Sequence, residues 1–559
     1  MSVMAGLCKL VGACKLFELD VSGFKSLKKV KVTFPDSLTI VVGSNGSGKT
    51  ALIEVFELLK ELLRWKRKQI VNPFLKWWGY RNVVWARQEN LPITIRLKLN
   101  IQNIPDAFSK LKEEQKQSDL SLFRRLSEGS SIIDYEIEIM KNKITSINER
   151  LSLNEFGMKV IISNGRMKFI IRNRPMFEET IRRMERKVER ELTDILKGKK
   201  KLTEFTFFDI LYVLPGLTKQ IRFDGIKLAS ELKKFQKMNQ KTQFRYLSSF
   251  LKESLQYMMH VIEGKVFAFE LGYESLIDLG IEILKEAKGE ISNFIEPAWE
   301  EIRENLLYNI LSLLKKKIQK KDFPAIRMLC LLKFLREFVT EVALIISCSA
   351  TLIVNYLERS IILKPLNYGK IKSLTIKSYA EELDIDCSNL INFLYTITNG
   401  TIPEHVLEII KEIWNVKDLE ISFEDLPYGY ISLRFNVEGI TVSQISAPEG
   451  IWKALAIEAA TLFEPTIIAI DEFENSLHAR AQDLLLEELR NSNALSIITT
   501  HSTIPLDFAK SPNEILVIEL INGETKSWRL SEIDAIKKKL EELGLTISEG
   551  LLHRFVTRG

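Results

Sequence analysis

The 559-residue chain is poor in cysteine, with five in all and no CxxC spacing. Cys8, Cys14, Cys330, Cys348 and Cys387 are odd in number and scattered, which argues against a disulfide framework or a zinc knot. A reducing, cytoplasmic setting is expected. Linkers rich in Gly, Ser or Pro are missing, as are internal repeats and any heptad pattern sustained over hundreds of residues. These absences exclude a collagenous chain, a low-complexity tail and a very long coiled coil. The amino-terminal MSVMAGLCKLVGACKLF lacks a basic start, a clean apolar run and a small-residue cleavage site, so it reads as a lead-in to a first strand and not as a secretory signal. Long hydrophobic runs are also missing. The most apolar stretch, VALIISCSATLIVNYL at 342–357, has sixteen uncharged residues. That makes about 24 Å of helix at about 1.5 Å per residue, short of a bilayer core of about 30 Å. A buried core helix is expected there, and no membrane partner.

A strong charge of one sign is lacking too. The net charge is +6, from 79 Lys plus Arg against 73 Asp plus Glu, which permits nucleic acid as a partner without demanding it. The charge is unevenly shared: residues 431–559 carry 12 basic and 19 acidic side chains, a net of −7, which leaves +13 on residues 1–430. With 46% hydrophobic residues there is apolar material for several cores, so a mainly disordered chain is excluded.

The patterning predicts three zones. KLFELDV and KKVKVTF alternate as strands, SLTIVVG reads as a strand buried on both faces, and a helix is predicted from about Thr50 to Arg64. ITIRLKLNI (93–101), IDYEIEIM (133–140), and MKVIISN with MKFIIRN (158–173) alternate like an antiparallel sheet, the last two joined at Asn164 and Gly165. From about 175 the pattern turns helical, with breaks at Pro297 and Pro324. PTIIAIDE and ALSIITTHS then read as buried parallel strands. The expected domains are an amino-terminal lobe at 1–174, a mainly helical insertion at 175–430 and a carboxyl-terminal lobe at 431–559.

Gly43, Ser44, Asn45, Gly46, Ser47, Gly48, Lys49 and Thr50 spell GSNGSGKT, the GxxxxGK[ST] pattern, set between a predicted strand and a predicted helix. Glycines let backbone amides turn in around phosphates, Lys49 reaches the terminal phosphates, and the Thr50 hydroxyl suits Mg²⁺. PTIIAIDEFENSLH delivers Asp471 and Glu472 at the carboxyl end of a buried strand, the edge where ligands of such sheets bind. Asp471 suits Mg²⁺ through its water shell, and Glu472 suits polarising the water that attacks a γ-phosphate. Without the glycine loop the two acids would read as ordinary capping residues. ALSIITTHST brings a third strand to its end at His501, placed to contact a γ-phosphate and sense its loss.

Lys49 and Asp471 lie more than four hundred positions apart. A nucleotide-binding head split by so large an insertion resembles the SMC, RecF and OLD group of ABC-type ATPases. VSGFKSLKKVKVTF is similar to the group's opening strands and YEIEIMKNKITSINERL to its antiparallel segment. GIWKALAIEAATLFEPTIIAIDEFENSLHARAQDLLLEELR with SIITTHS is similar to the closing half of its stand-alone AAA-family branch. The matches cover about 15–100, 133–155 and 436–520. The resemblance implies an α/β P-loop NTPase fold, an ABC-type head of mixed sheet plus antiparallel β subdomain, with a large mainly helical insertion. It also implies ATP and Mg²⁺ as cofactors, nucleotide contacts from Lys25 and Ser26, a homodimer closed through its heads, and a DNA-related role in repair, recombination or defence. The zinc-hook branch needs a CxxC that this chain lacks. The fewer than sixty residues after His501 are expected to be too few for the Toprim domain of OLD nucleases. A second class stays open: a slow-turnover ATP-gated regulator whose helical insertion binds a protein partner.

The chain departs from the group at its signature loop. Pro448, Glu449 and Gly450 stand where Ser, a small residue and Gly are usual, and Ser446 comes two positions early. Either Ser446 is brought in by a reshaped loop, or Gly450 amides at the helix start make the contact to a partner's nucleotide. Gln88 and Gln220 both qualify as the glutamine that meets metal and water. Finally, Arg64–Arg87 holds seven basic residues and no acid, interleaved with Trp65, Phe74, Trp77, Trp78, Tyr80 and Trp85. Such a stretch suits a nucleic-acid backbone and its bases, although four tryptophans so close together read more as core than as a stacking platform.

Overall fold

The computed structural model describes residues 14–101, 131–141, 146–153, 158–163, 166–171, 270–271, 349–532 and 542. The helices expected from about 175 to 348, the basic runs KGKKK and KKKIQKK, and Gln220 lie outside the described residues.

Alternation, broken in a few places, builds the opening strands. In β1 (Cys14–Phe24) and β2 (Leu27–Thr33) Leu19, Val21, Val30 and Val32 turn inward while Lys29 and Lys31 face solvent, the period of a half-buried sheet. The two pair antiparallel with Val21 opposite Val30. β3 (Leu38–Val42) is buried at all five positions, as a central parallel strand covered on both faces must be. Helix α1 (Lys49–Lys66) follows the glycine loop and ends with Arg64 and Lys66 in its last turn, where cations offset the free carbonyls. β4 (Ile93–Ile101) lies beside β1.

The chain forms two compact units. One comprises 1–13, 100–138 and 145–354. It orders β5 (Ser131–Met140), β6 (Ser146–Leu153), β7 (Met158–Ser163), β8 (Arg166–Ile171) and β9 (Glu270–Leu271) side by side. Ser163 stands opposite Arg166 in the β7–β8 pair, the register of the hairpin expected at Asn164 and Gly165. Buried Tyr135 donates to buried Glu149 at 2.6 Å, joining β5 to β6.

The other unit comprises 14–99, 139–144 and 355–559. Its later elements are β10 (Ile361–Leu363), β11 (Thr375–Ile376), α2 (Leu390–Thr398), α3 (Glu404–Trp414), β12 (Leu419–Leu426), β13 (Tyr430–Val437) and β14 (Ile440–Ser443). After these come α4 (Glu449–Leu462), β15 (Ile467–Ile470), α5 (Ala479–Asn491), β16 (Leu495–Thr500), β17 (Ile515–Ile521) and β18 (Glu524–Arg529). A six-stranded sheet runs β10-β15-β16-β3-β17-β18, parallel except for the last pair. A second sheet sets β13 between β11 and β12, with β14 also on β13.

Residues 355–430, expected within the helical insertion, therefore belong with the nucleotide-binding halves, and β10 pairs in parallel with β15. Three strand residues are too few to show a period of two, which is why the boundary moves from 430 to about 355. The apolar run at 342–357 is helical over its described part, with Leu352, Ile353, Val354, Tyr356 and Leu357 buried. Among the described residues no helix is long and apolar enough to cross a membrane.

Helix α4 buries ten consecutive residues from Ile451 to Ala460, and a helix so covered is a core element. Trp452 packs edge-on against Phe435 at 5.6 Å, and Phe435 against Trp414 at 5.7 Å. This core holds α4 between the second sheet and the loop after β15.

Candidate functional site

Register places the site. Ile470 of β15 lies opposite Ile498 of β16, and Thr500 of β16 opposite Val42 of β3. Three parallel strands thus end at one edge, and Asp471, His501 and Gly43 leave from it. Gly48 caps α1 with φ 110°, a left-handed conformation that a side chain resists. A Cβ there would also meet Thr525 Oγ1 at 2.5 Å and Ser26 Oγ at 2.8 Å. Thr525 donates to the Ser47 carbonyl at 2.8 Å, so the start of β18 and the β1–β2 turn brace the loop.

Lys49 is 4% exposed and donates to the carbonyls of Gly43 at 2.8 Å and Ser44 at 3.0 Å. Burial lowers its pKa, opposed by the charges of Asp471, Glu474 and Glu472. The Thr50 hydroxyl donates to Asp471 Oδ1 at 3.2 Å. These two oxygens, one hydroxyl and one carboxylate beside the phosphate loop, fit a hard divalent cation such as Mg²⁺.

Asp471 and Glu472 are fixed by a residue whose role the sequence does not announce. Thr499, 1% exposed, donates to Asp471 Oδ1 at 2.6 Å and accepts from the Glu472 amide at 3.0 Å. Glu472 is left-handed at φ 51°, a conformation that costs energy and persists only where neighbours over-determine it. Its carboxylate accepts from Asn475 at 2.6 Å. Glu474 accepts from the His501 amide at 2.7 Å through one oxygen, while its other oxygen is buried with no partner among the described residues. The His501 residue itself is exposed. The signal for Thr499 and Glu474 was present in TTH and DEFEN, but only the strand register gives it meaning.

The remaining predicted residues divide. Ser26 stands against Gly48 and Thr525. The Lys25 ammonium is held by Glu54 on α1. Ser446 is exposed before α4, and its hydroxyl lies 3.0 Å from that of Ser443. Glu449 turns its carboxylate onto the Ser476 hydroxyl at 3.3 Å. A Cβ on Gly450 would meet the Ser476 carbonyl at 2.5 Å, so α4 touches the loop after β15 within the same chain. Gln88 is exposed, in a turn closed by Leu91 N–H donating to its carbonyl.

In the basic stretch Phe74 and Tyr80 are core, packed edge-on at 5.1 Å. Trp65, Trp77 and Trp85 are half-buried, and Trp78 is 90% exposed. The expectation of core thus holds for Phe74 and Tyr80 and fails for Trp78. Arg67 makes a two-pronged bond to Glu358 at 2.7 and 2.8 Å, and Lys76 pairs with Glu61 at 2.9 Å. Lys68, Arg81 and Arg87 are exposed.

A glycine loop at the end of a central parallel strand, with acidic and hydroxyl residues on the adjoining strand ends, defines a P-loop ATPase. The chain belongs to the AAA ATPase domain family, whose model matches residues 15–337. A second model, described as "AAA domain, putative AbiEii toxin, Type IV TA system", matches residues 390–507. Solved structures similar to the chain include the Smc head domain with a coiled coil and joint from Pyrococcus yayanosii, at 14% identity and TM-score 0.34 over 95% of this chain and 100% of that one. Another is the Smc head domain from Pyrococcus furiosus bound to the C-terminal domain of ScpA, at 14% identity and TM-score 0.33 over 94% and 100%. The SMC head domain from Thermotoga maritima matches at 10% identity and TM-score 0.33 over 92% and 98%. No curated protein matches the chain.

Proposed function

We propose that this ATPase closes a head-to-head homodimer when it binds ATP, opens it on hydrolysis, and couples that cycle to a DNA-related process in repair, recombination or defence. The observation that supports it most is the set of contacts among Thr50, Asp471, Thr499 and Glu472 at the end of the phosphate loop.

In this reading the amides of Gly43 to Gly48 and the Lys49 ammonium hold the β- and γ-phosphates. Thr50 and Asp471 hold Mg²⁺, which when bound neutralises charge between the phosphates. Glu472, kept in place by Asn475 and Thr499, orients the attacking water and takes its proton. His501, with its amide fixed by Glu474, meets the γ-phosphate from the neighbouring strand end. Ser26 stands against the loop at Gly48, and Lys25 acts through the turn it ties to α1. Ser446 and Glu449 are exposed at the start of α4, where a second copy can reach them and Gly450. Trp78, with Arg81 and Arg87 exposed a few residues on, supplies an aromatic and basic surface for DNA.

One observation favours the slower regulator: an acid, Glu449, occupies the first turn of α4, and a carboxylate there repels a partner's γ-phosphate. Two measurements separate the readings. The Glu472→Gln protein with ATP should run as a dimer in light scattering, and fluorescence anisotropy should show DNA binding that weakens as salt rises. A monomer under ATP removes the dimer cycle. An absence of DNA binding in low salt with ATP leaves the regulator.

A further inference from the structure

Lys453 received no role from the sequence, yet it is buried beside the acidic strand end. It sits on α4, 1% exposed, and donates to the Glu472 carbonyl at 3.4 Å. Three carboxylates, Glu474, Asp471 and Glu472, act on its charge. Cys387 lies on it as well, but burial pushes that thiol up to about 12, so it stays neutral near pH 7 and offers no counter-charge. Burial pulls Lys453 down to about 8, which leaves it mostly cationic at neutral pH.

The neighbouring contacts give the lysine its setting. Glu449 and Lys453 are one helical turn apart and therefore share a face of α4. Glu449 and Gly450 meet Ser476, and Lys453 meets Glu472. Both ends of the 472–476 loop are thus gripped by the first turns of one helix, and both end residues are left-handed, Glu472 at φ 51° and Ser476 at φ 63°. A loop with two such residues needs outside support to keep its shape.

We propose that Lys453 is a positioning residue for hydrolysis. By bonding the Glu472 carbonyl and offsetting the crowded carboxylates, it keeps the Glu472 side chain aimed at the attacking water. It also ties that aim to the helix that begins at Glu449 and Gly450, just after Ser446. This rests on the assignment of Glu472 as the base.

The test is a cycle of variants in the full chain: Lys453→Met, Lys453→Gln, Glu472→Gln and the two doubles, with ATP Kd and turnover measured for each. In either single Lys453 variant, kcat should fall at least about 10-fold while the ATP Kd stays within about twofold, a split that marks an interaction used in the transition state. In the Glu472→Gln background the same change should lower residual turnover by less than about twofold, because the base it positions is already gone. Where Lys453→Met does not fold, Lys453→Gln, which retains a donor, is read alone. A kcat within twofold of wild type, or an equal fall in both backgrounds, overturns the proposal. A wild type without Lys49-dependent ATPase activity overturns instead the reading on which it rests.

Discussion

Replacing Thr499 with valine keeps shape and volume but removes the one hydroxyl that serves both Asp471 and Glu472. Two losses follow at a site 1% exposed. The bond to the Asp471 carboxylate is charge-assisted, and such bonds contribute about 1.5–3 kcal/mol. The Glu472 amide is left without its acceptor, at about 1–3 kcal/mol. Asp471 keeps the Thr50 hydroxyl at 3.2 Å, which softens the first loss, so a net destabilisation of about 3 kcal/mol is expected. Thr499→Ser keeps the hydroxyl and loses only a buried methyl, worth about 1 kcal/mol. Urea unfolding should therefore rank wild type, serine, then valine. Turnover should follow the same order, with valine at least about 10-fold slower because Glu472 loses its anchor. A valine variant as stable and as active as serine, or better, would refute the reasoning.

Other consequences follow from single contacts. Glu458 is buried in α4 with neither carboxylate oxygen partnered among the described residues, and burial, aided by the charge of Glu488, raises its pKa to about 8. The unfolded chain ionises near 4.5, so stability is lost as pH rises from about 4.5 to 8, by up to about 1.4 kcal/mol per pH unit. Glu458→Met should remove that slope and gain stability over wild type at pH 8; parallel stability curves for the two proteins would contradict it. Gly450→Ala places a methyl 2.5 Å from the Ser476 backbone carbonyl. It should lower kcat several-fold with little change in ATP Kd, measured by phosphate release and nucleotide titration. Trp78→Ala, at a residue 90% exposed, should leave the melting temperature unchanged and weaken DNA binding several-fold by anisotropy; equal affinity moves the DNA surface elsewhere.

The parts of this molecule legible in sequence are those whose chemistry is local. GSNGSGKT carries its own turn, its own donors and its helix start, and β3 before it, apolar but for Thr39, is buried at every position because both faces are covered. Asp471 and Glu472 end a short apolar run, so their place at a strand edge could be read directly. What escaped depends on partners distant in the chain. Thr499 and Lys453 look like an ordinary strand threonine and helix lysine until register and packing set them on Asp471 and Glu472. β10 is three residues long, and only its pairing with β15 shows that the head resumes near 355 and not 430. The aromatic stretch divided for the same reason: Phe74 and Tyr80 find each other and the core, while Trp78, in a left-handed turn at φ 62°, points away from it.

In the proposed cycle Lys49 binds the nucleotide and Glu472 activates the water, a pairing at one site. Its most direct test is Mg²⁺-dependent phosphate release from ATP, with nucleotide binding measured alongside, for wild type, Lys49→Ala and Glu472→Gln. Turnover is expected in wild type, loss of both binding and turnover in Lys49→Ala, and retained binding with at least about 100-fold slower turnover in Glu472→Gln. A Glu472→Gln protein that releases phosphate as fast as wild type, or a Lys49→Ala protein that binds ATP as tightly, would contradict it.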